Sequence, residues 1–250
     1  MTKIASRNWQ DTAPEESSAG HYLRQLDPAR RRRLAAQVAF TLAAWRAAVG
    51  FAHALKRFLD VAGALAGLVA LSPVFLATAI AIRLEDRGPL FFNQERVGLR
   101  GRRFRIYKFR SMVVDAERRK AELLSRNESE AGVLFKMRRD PRITRVGAVI
   151  RKLSIDELPQ LLNVLKGEMS LVGPRPAVPS EVSQYTQSDR VRLEIKPGIT
   201  CLWQIGGRSE IDFRGQVKLD LEYIRERSFW LDLWIILKTV PAVVLGKGAY

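Results

Sequence analysis

Cysteine and histidine are nearly absent from this chain: its 250 residues hold one cysteine, Cys201, and two histidines, His21 and His53. That scarcity excludes a disulfide framework, a structural zinc site and a local Cys/His catalytic pair, each of which needs several such residues at short spacing. A reducing compartment follows, and any chemistry falls to carboxylates. Acids are themselves a minority, with 26 Asp and Glu against 42 Lys and Arg and a net charge of +16. An excess of that size points to an anionic partner, whether nucleic acid, an anionic membrane surface or a phosphorylated small substrate. The hydrophobic content of 47% excludes a wholly disordered chain and provides for one main domain with additions.

Charge is missing altogether from Val61 to Ile82, where VAGALAGLVALSPVFLATAIAI runs for 22 residues. At ~1.5 Å per helical residue that is about 33 Å, enough to cross a bilayer core of ~30 Å. Two features argue against a simple span. Ser72-Pro73 sits at the midpoint, where proline removes a helical hydrogen bond and forces a break. Basic residues flank both ends, Lys56 and Arg57 before and Arg83 and Arg87 after, whereas a spanning helix concentrates them on one side. The expectation is a re-entrant helix-break-helix that returns to the same face, with the Ser72 hydroxyl or neighbouring helices satisfying the backbone at the break. An ordinary spanning helix with a tolerated proline and a buried core helix are the alternatives. The run begins too far along the chain for a cleaved signal peptide.

Elsewhere the patterning is weaker. Residues 1–26 are polar and aperiodic and read as a mobile tail. Asp27-Pro28 is a helix start, followed at helical spacing by Leu34, Val38, Leu42, Trp45, Val49 and Ala52. With Arg30 to Arg33 beside it, this amphipathic helix suits an anionic membrane surface, though its stripe could equally pack on protein. Between Arg96 and Arg110 lie seven basic residues and no acid; there Phe104 and Ile106 alternate with Arg103, Arg105 and Tyr107, which predicts a strand. Residues 115–129 predict an exposed helix. SFWLDLWIILKTVPAVVLG predicts a core or interface helix ending near Pro241.

The acids gather in LSIDELPQ, residues 153–160, which sets Asp156 beside Glu157. Ser154-x-x-Glu157 matches a capping box, but that register puts Pro159 at the fifth helical position, where an amide is needed; with Asp156 as N-cap, Pro159 falls inside the tolerant first turn. A helix from Glu157 to about Lys166, closed by Gly167, is therefore expected, with Asp156 anionic and accessible at its N-terminus. Arg151-Lys152 precede the pair, GPRP follows it, and RRDPRITRVG lies just upstream. Cationic loops around paired carboxylates suit a phosphate substrate with Mg²⁺, and a carboxylate can also attack phosphorus directly. Any single arginine taken alone is more often a surface charge or a structural ion pair.

KFRSM (108–112), DPRITRVG (140–147), LSIDELPQLLNVLKGEMSLVGPRP (153–176) and PGITCLWQIGGR (197–208), in that order after the Ser-Pro break, resemble the bacterial sugar transferases called monotopic phosphoglycosyl transferases. The match extends from about Lys56 to Tyr250. The resemblance implies transfer of a phosphosugar from a UDP-sugar to a polyprenol phosphate such as undecaprenyl phosphate. UMP is released, as the first membrane step of an exopolysaccharide, capsule, O-antigen or glycoprotein pathway. By matching positions, Asp156 would be the nucleophile that carries the phosphosugar, and Glu157 its metal-site partner or base. Mg²⁺ would bind at both acids. Arg151 and Arg175 would clamp phosphates, with Lys108, Arg110 and Arg142 next. Cys201 departs from the family, which more often has glycine there.

The fold so implied is α+β and mostly helical, with a tail (1–26), an amphipathic helix (27–55), a re-entrant hairpin broken at Ser72-Pro73 (56–87) and a catalytic domain (88–250) whose C-terminal helix lies at the interface. The domain would rest on the cytoplasmic face of a bacterial inner membrane, touching anionic lipids and no nucleic acid, and homo-oligomerisation is left open. Two rivals remain. A metal-dependent glycosyltransferase releasing UDP commonly needs Asp-x-Asp, whose nearest approach here is Asp220-Leu221-Glu222. A membrane-anchored nucleic-acid-binding protein would use the RRFRIYKFR strand.

Overall fold

The computed structural model describes residues 27–123, 137, 140–207 and 211–245. The expected tail (1–26) and the far half of the helix expected over 115–129 lie outside them. Among the described residues the chain is mostly helical with two small two-stranded sheets. It divides into two compact units, 1–53 and 54–250.

Helix α1 (Pro28–Ala70) begins where Asp27-Pro28 predicted, with the Asp27 carboxylate accepting from the Ala29 amide at 3.2 Å. It is one continuous helix through the boundary expected between residues 55 and 56. Nothing at Lys56 disturbs helical geometry; the breaker lies seventeen residues on, at Pro73. In the first unit, Phe40, Trp45 and Phe51 are exposed, and α1 is the one described helix long and apolar enough to cross a membrane.

Leu71 (φ −94°, ψ 5°) interrupts the helix, and α2 (Ser72–Asp86) follows with proline in its first turn. Pro73 has no amide to give the Val69 carbonyl, and the Ser72 hydroxyl donates to that carbonyl instead, at 2.8 Å. Each half of the apolar run is thus about 15 Å long, half a bilayer core. Both ends are held by contacts within the second unit. The Arg57 guanidinium donates to the carbonyls of Val164 and Leu165 at 2.6 and 2.8 Å, and Asp86 is gripped by Arg110 through two bonds.

Strands β1 (Phe91–Val97) and β2 (Arg103–Phe109) form the antiparallel ribbon expected from the alternation around Ile106. Phe104 and Ile106 pack against Ala64 and Leu68 of α1. At the strand's end Phe109 joins Phe75 and Ile82 of α2. Helices α3 (Ala116–Leu123) and α4 (Arg145–Lys152) follow, then a 3₁₀ turn (Ile155–Gln160) running into α5 (Leu161–Lys166). Strand β3 (Ser170–Val172) pairs in parallel with β4 (Gly198–Thr200). Gly198 is obligatory there, since a Cβ would lie 2.1 Å from the Gly173 nitrogen. Between them come α6 (Pro179–Val182) and a 3₁₀ turn (Asp189–Glu194).

Helices α7 (Leu202–Gly206), α8 (Phe213–Glu226) and α9 (Phe229–Leu245) complete the unit. Helix α9 does not end near Pro241 as expected but continues to Leu245. The bond that Pro241 cannot make falls at the turn of Leu237, which is exposed, where solvent or headgroups can take the carbonyl. One face of α9 buries Ile235 against Val172 and Tyr223, while Trp230 and Val240 stay exposed on the other.

A buried polar hub fixes α1 to this unit. Asp60, 3% exposed, accepts from Lys56, from the Ser170 hydroxyl and from the Leu171 amide at 3.0, 2.9 and 2.9 Å. Lys56 also pairs with Asp232 at 2.9 Å, and Asp232 accepts from the Tyr223 hydroxyl at 2.7 Å. Such a network tolerates burial because each charge has a partner.

Candidate active site

Alternation along β2 decides where its cations go. Phe104, Ile106 and Lys108 share one face, so the chain that buries Ile106 carries the Lys108 ammonium inward. It meets the Glu157 carboxylate at 2.6 Å. Asn163 holds the two elements together. Wholly buried on α5, it accepts from the Tyr107 amide at 3.1 Å and donates to the Arg105 carbonyl and to Glu168, both at 2.8 Å. It thereby satisfies the β2 backbone groups on either side of Ile106.

The acid pair sits in a different local structure from the one expected. Asp156 is not an N-cap. Ser154, at φ 53°, turns the chain, and Ile155–Gln160 wind as a 3₁₀ turn with Pro159 inside it. Proline supplies no amide and crowds Leu158 before it, so the tighter winding persists until α geometry begins at Leu161. The expected end holds: Gly167, at φ 80°, closes α5 after Lys166. The Glu157 carboxylate takes Lys108 and does not reach back to a cap amide.

Nor is Asp156 openly accessible; it is 8% exposed. Burial pushes its carboxyl up to about 6, against the pull of Lys108 and Arg151 and with the help of the Glu157 charge. For Glu157 burial also acts upward, but Lys108, Arg175 and Arg96 outweigh it and hold the group below its ordinary value. Two adjacent carboxyls are therefore driven apart by their surroundings, the pattern that separates roles in acid-base and nucleophilic sites. At neutral pH Asp156 is ionised yet destabilised, which suits a nucleophile.

Five of the expected residues come together here: Asp156, Glu157, Lys108, Arg151 and Arg175. Arg110 and Arg142 do not join them. Arg110 is committed to Asp86 and the Pro89 carbonyl, and Arg142 to Asp140 at 2.6 Å in a pair with both side chains 6% exposed. Arg175 reaches Glu181 at 3.2 Å and lines a solvent-open cavity of about 90 Å³ together with Arg96, Lys108, Glu157, Gln160 and Trp203. Sequence reasoning gave Arg96 and Gln160 no role. Trp203 lies in PGITCLWQ, which the family resemblance gives as a loop shaping a nucleotide or sugar pocket with no contacts assigned, and the structure has it lining this cavity.

The rivals find less support. Asp220 is 1% exposed and paired with Arg192 at 2.6 Å, while Glu222 faces solvent two residues on, so the near Asp-x-Asp forms no common site. In RRFRIYKFR, Arg103 pairs with Glu95, Lys108 with Glu157 and Arg110 with Asp86, while Arg102 and Arg105 are exposed. Burial pushes the Cys201 thiol well up, removing it as a nucleophile.

Comparison with known proteins adds an independent finding. A family model described as bacterial sugar transferase matches residues 51–246. The chain is 54% identical over 195 residues to galactosyl transferase CpsE of Streptococcus agalactiae, covering 78% of this chain and 43% of that protein. It is 42% identical over 198 residues to exopolysaccharide production protein ExoY of Sinorhizobium fredii, covering 78% of this chain and 88% of ExoY. It is also 42% identical over 199 residues to undecaprenyl-phosphate galactose phosphotransferase of Salmonella typhimurium, covering 78% of this chain and 42% of that protein. The chain thus spans less than half of two of these relatives and most of the third.

Proposed function

Because the chain belongs to the bacterial sugar transferase family, we propose that it transfers a phosphosugar from a UDP-sugar to a polyprenol phosphate, initiating a surface glycan. The observation that carries this reading is a buried carboxyl, Asp156, pushed up to about 6 beside Glu157, which cations hold down and which lines a cationic cavity. The relative named an undecaprenyl-phosphate galactose phosphotransferase supports the same reaction class.

In this reading a carboxylate oxygen of Asp156 attacks the β-phosphorus of the donor. The bond from that phosphorus to the bridging oxygen breaks, and UMP leaves with the oxygen and its electron pair. An oxygen of the lipid phosphate then attacks the same phosphorus and returns the carboxylate to Asp156. Lys108, Arg151 and Arg175 stabilise charge on the phosphoryl oxygens. Lys108 also keeps Glu157 ionised and occupies one of its oxygens, so Glu157 can hold a cation while its engaged carboxylate does not compete as nucleophile. Two adjacent carboxylates fit Mg²⁺, which needs only one or two from protein when phosphates complete its shell; Asp156 and Glu157 would hold it, and it would offset diphosphate charge.

The membrane reading rests on the break at Leu71, on half-runs of about 15 Å, and on the docking of both Arg57 and Asp86 to the same unit. These support a re-entrant hairpin; the cytoplasmic face for the catalytic unit belongs to the proposed use of a soluble UDP-sugar. Exposed Phe58, Val69, Leu84 and Trp230 suit acyl chains and headgroups. Assay of a panel of UDP-sugars with a polyprenol phosphate tests the reaction. UMP release, with a labelled phosphosugar adduct that Asp156→Asn cannot form, is expected; release of UDP would refute it.

A further inference from the structure

Two buried donors beside the acid pair have no acceptor. Arg96 is 6% exposed; its Nη1 donates to the Pro176 carbonyl at 3.0 Å and its Nη2 to Gln94 at 2.5 Å, but its Nε meets no acceptor among the described residues. Trp203 is 8% exposed, and its indole N–H is likewise unpaired. Folded proteins leave few such groups unsatisfied. These two line one cavity, which Glu157 and Lys108 also line.

The cavity's charge identifies what would satisfy them. Arg96, Lys108 and Arg175 line it with one carboxylate, Glu157, which Lys108 already engages, while Glu181 behind the wall pairs with Arg175. Burial and the nearby Arg175 hold Arg96 down at about 10, the mark of a guanidinium with less counter-charge than its burial requires. A phosphoryl group supplies both the negative charge and several acceptor oxygens.

Resting on the reaction proposed above, we infer that Arg96 and Trp203 form a phosphate subsite for the group that Asp156 does not attack. In the first half-reaction this is the donor's α-phosphate, which departs as UMP. In the second it is the phosphate of the lipid acceptor. In-line displacement ties the two together, because the bond to Asp156 forms opposite the leaving UMP oxygen. The next nucleophile must approach the phosphorus opposite Asp156, and so from the position UMP has vacated. One pair of donors serves both phosphates in turn.

Trp203→Phe keeps an aromatic ring while removing the indole N–H with part of the ring system; Arg96→Gln removes the charge, and Arg96→Lys keeps the charge without the guanidinium fork. With the full chain in detergent micelles, calorimetry measures UMP and uridine affinity without turnover, and kinetics measures the KM for a short-chain polyprenyl phosphate. Both Trp203→Phe and Arg96→Gln should bind UMP roughly tenfold more weakly with uridine unchanged and raise that KM similarly, and both should stay folded at the assay temperature although Arg96→Gln, which strips the Pro176 carbonyl of its donor, unfolds earlier; Arg96→Lys should recover part of the loss. Wild-type UMP affinity in both folded variants would overturn the subsite, as would an equal loss for uridine. Weaker UMP binding with an unchanged KM for the lipid phosphate would overturn its shared use. Wild-type enzyme that binds UMP through these donors but releases UDP would instead overturn the reaction and leave the phosphate subsite standing.

Discussion

Replacing the proposed nucleophile should stabilise the fold. Burial holds the Asp156 carboxyl at about 6 in the native state, against 3.8 for an unhindered aspartate. Between those values the native chain keeps a proton that the unfolded chain has lost, so stability falls as pH rises from about 4 to about 6. A difference of roughly two units, at about 1.36 kcal/mol each, places the cost of ionising Asp156 near 3 kcal/mol above pH 7. Asp156→Asn mimics the neutral form and escapes that cost. The variant should therefore match wild type at pH 4 and exceed it by about 2–3 kcal/mol at pH 7.5, or some 4–10 °C in melting temperature, while losing turnover. Parallel thermal and urea unfolding at pH 4, 5.5 and 7.5 in one detergent reads this directly. A gap that does not widen with pH, or an asparagine variant less stable than wild type at pH 7.5, would refute the account of Asp156 as a destabilised buried anion.

The same group should impose an acid limb on turnover near pH 6, since only the carboxylate attacks phosphorus. Glu157→Gln, by removing one of the charges that hold Asp156 up, should shift that limb to lower pH in whatever activity survives; a limb that stays in place contradicts the coupling. Asn163→Ala strips partners from the Tyr107 amide and the Arg105 carbonyl and should cost about 3 kcal/mol of stability; a loss under about 0.5 kcal/mol would show that Asn163 does not hold β2. For topology, Ala54→Cys and Asn93→Cys place thiols on either side of the apolar run in a chain whose sole native cysteine is buried. A re-entrant hairpin requires both to label from the same side of sealed vesicles, and labelling from opposite sides would establish a span.

Features that depend on near neighbours are legible along the chain. Proline at 73 breaks a helix whatever surrounds it, Gly167 ends one by its conformational freedom, and the period of two around Ile106 makes a strand. The acid pair and its motifs were equally legible, because they are contiguous. Protonation was not. Asp156 was expected at a helix N-terminus, accessible and readily ionised, and the structure has it buried in a 3₁₀ turn with its carboxyl pushed up, since desolvation is set by every element that closes over it.

Only the tertiary structure could sort the arginines. Arg110 and Arg142 looked like candidates from their motifs, but Asp86 and Asp140 take them. Lys108 reaches Glu157 across 49 residues and Arg96 reaches the Pro176 carbonyl across 80. A basic residue and an unmet acceptor look alike along a chain. Which charge finds a partner, and which buried donor is left for a ligand, is settled by contacts between segments that only folding brings within hydrogen-bond distance.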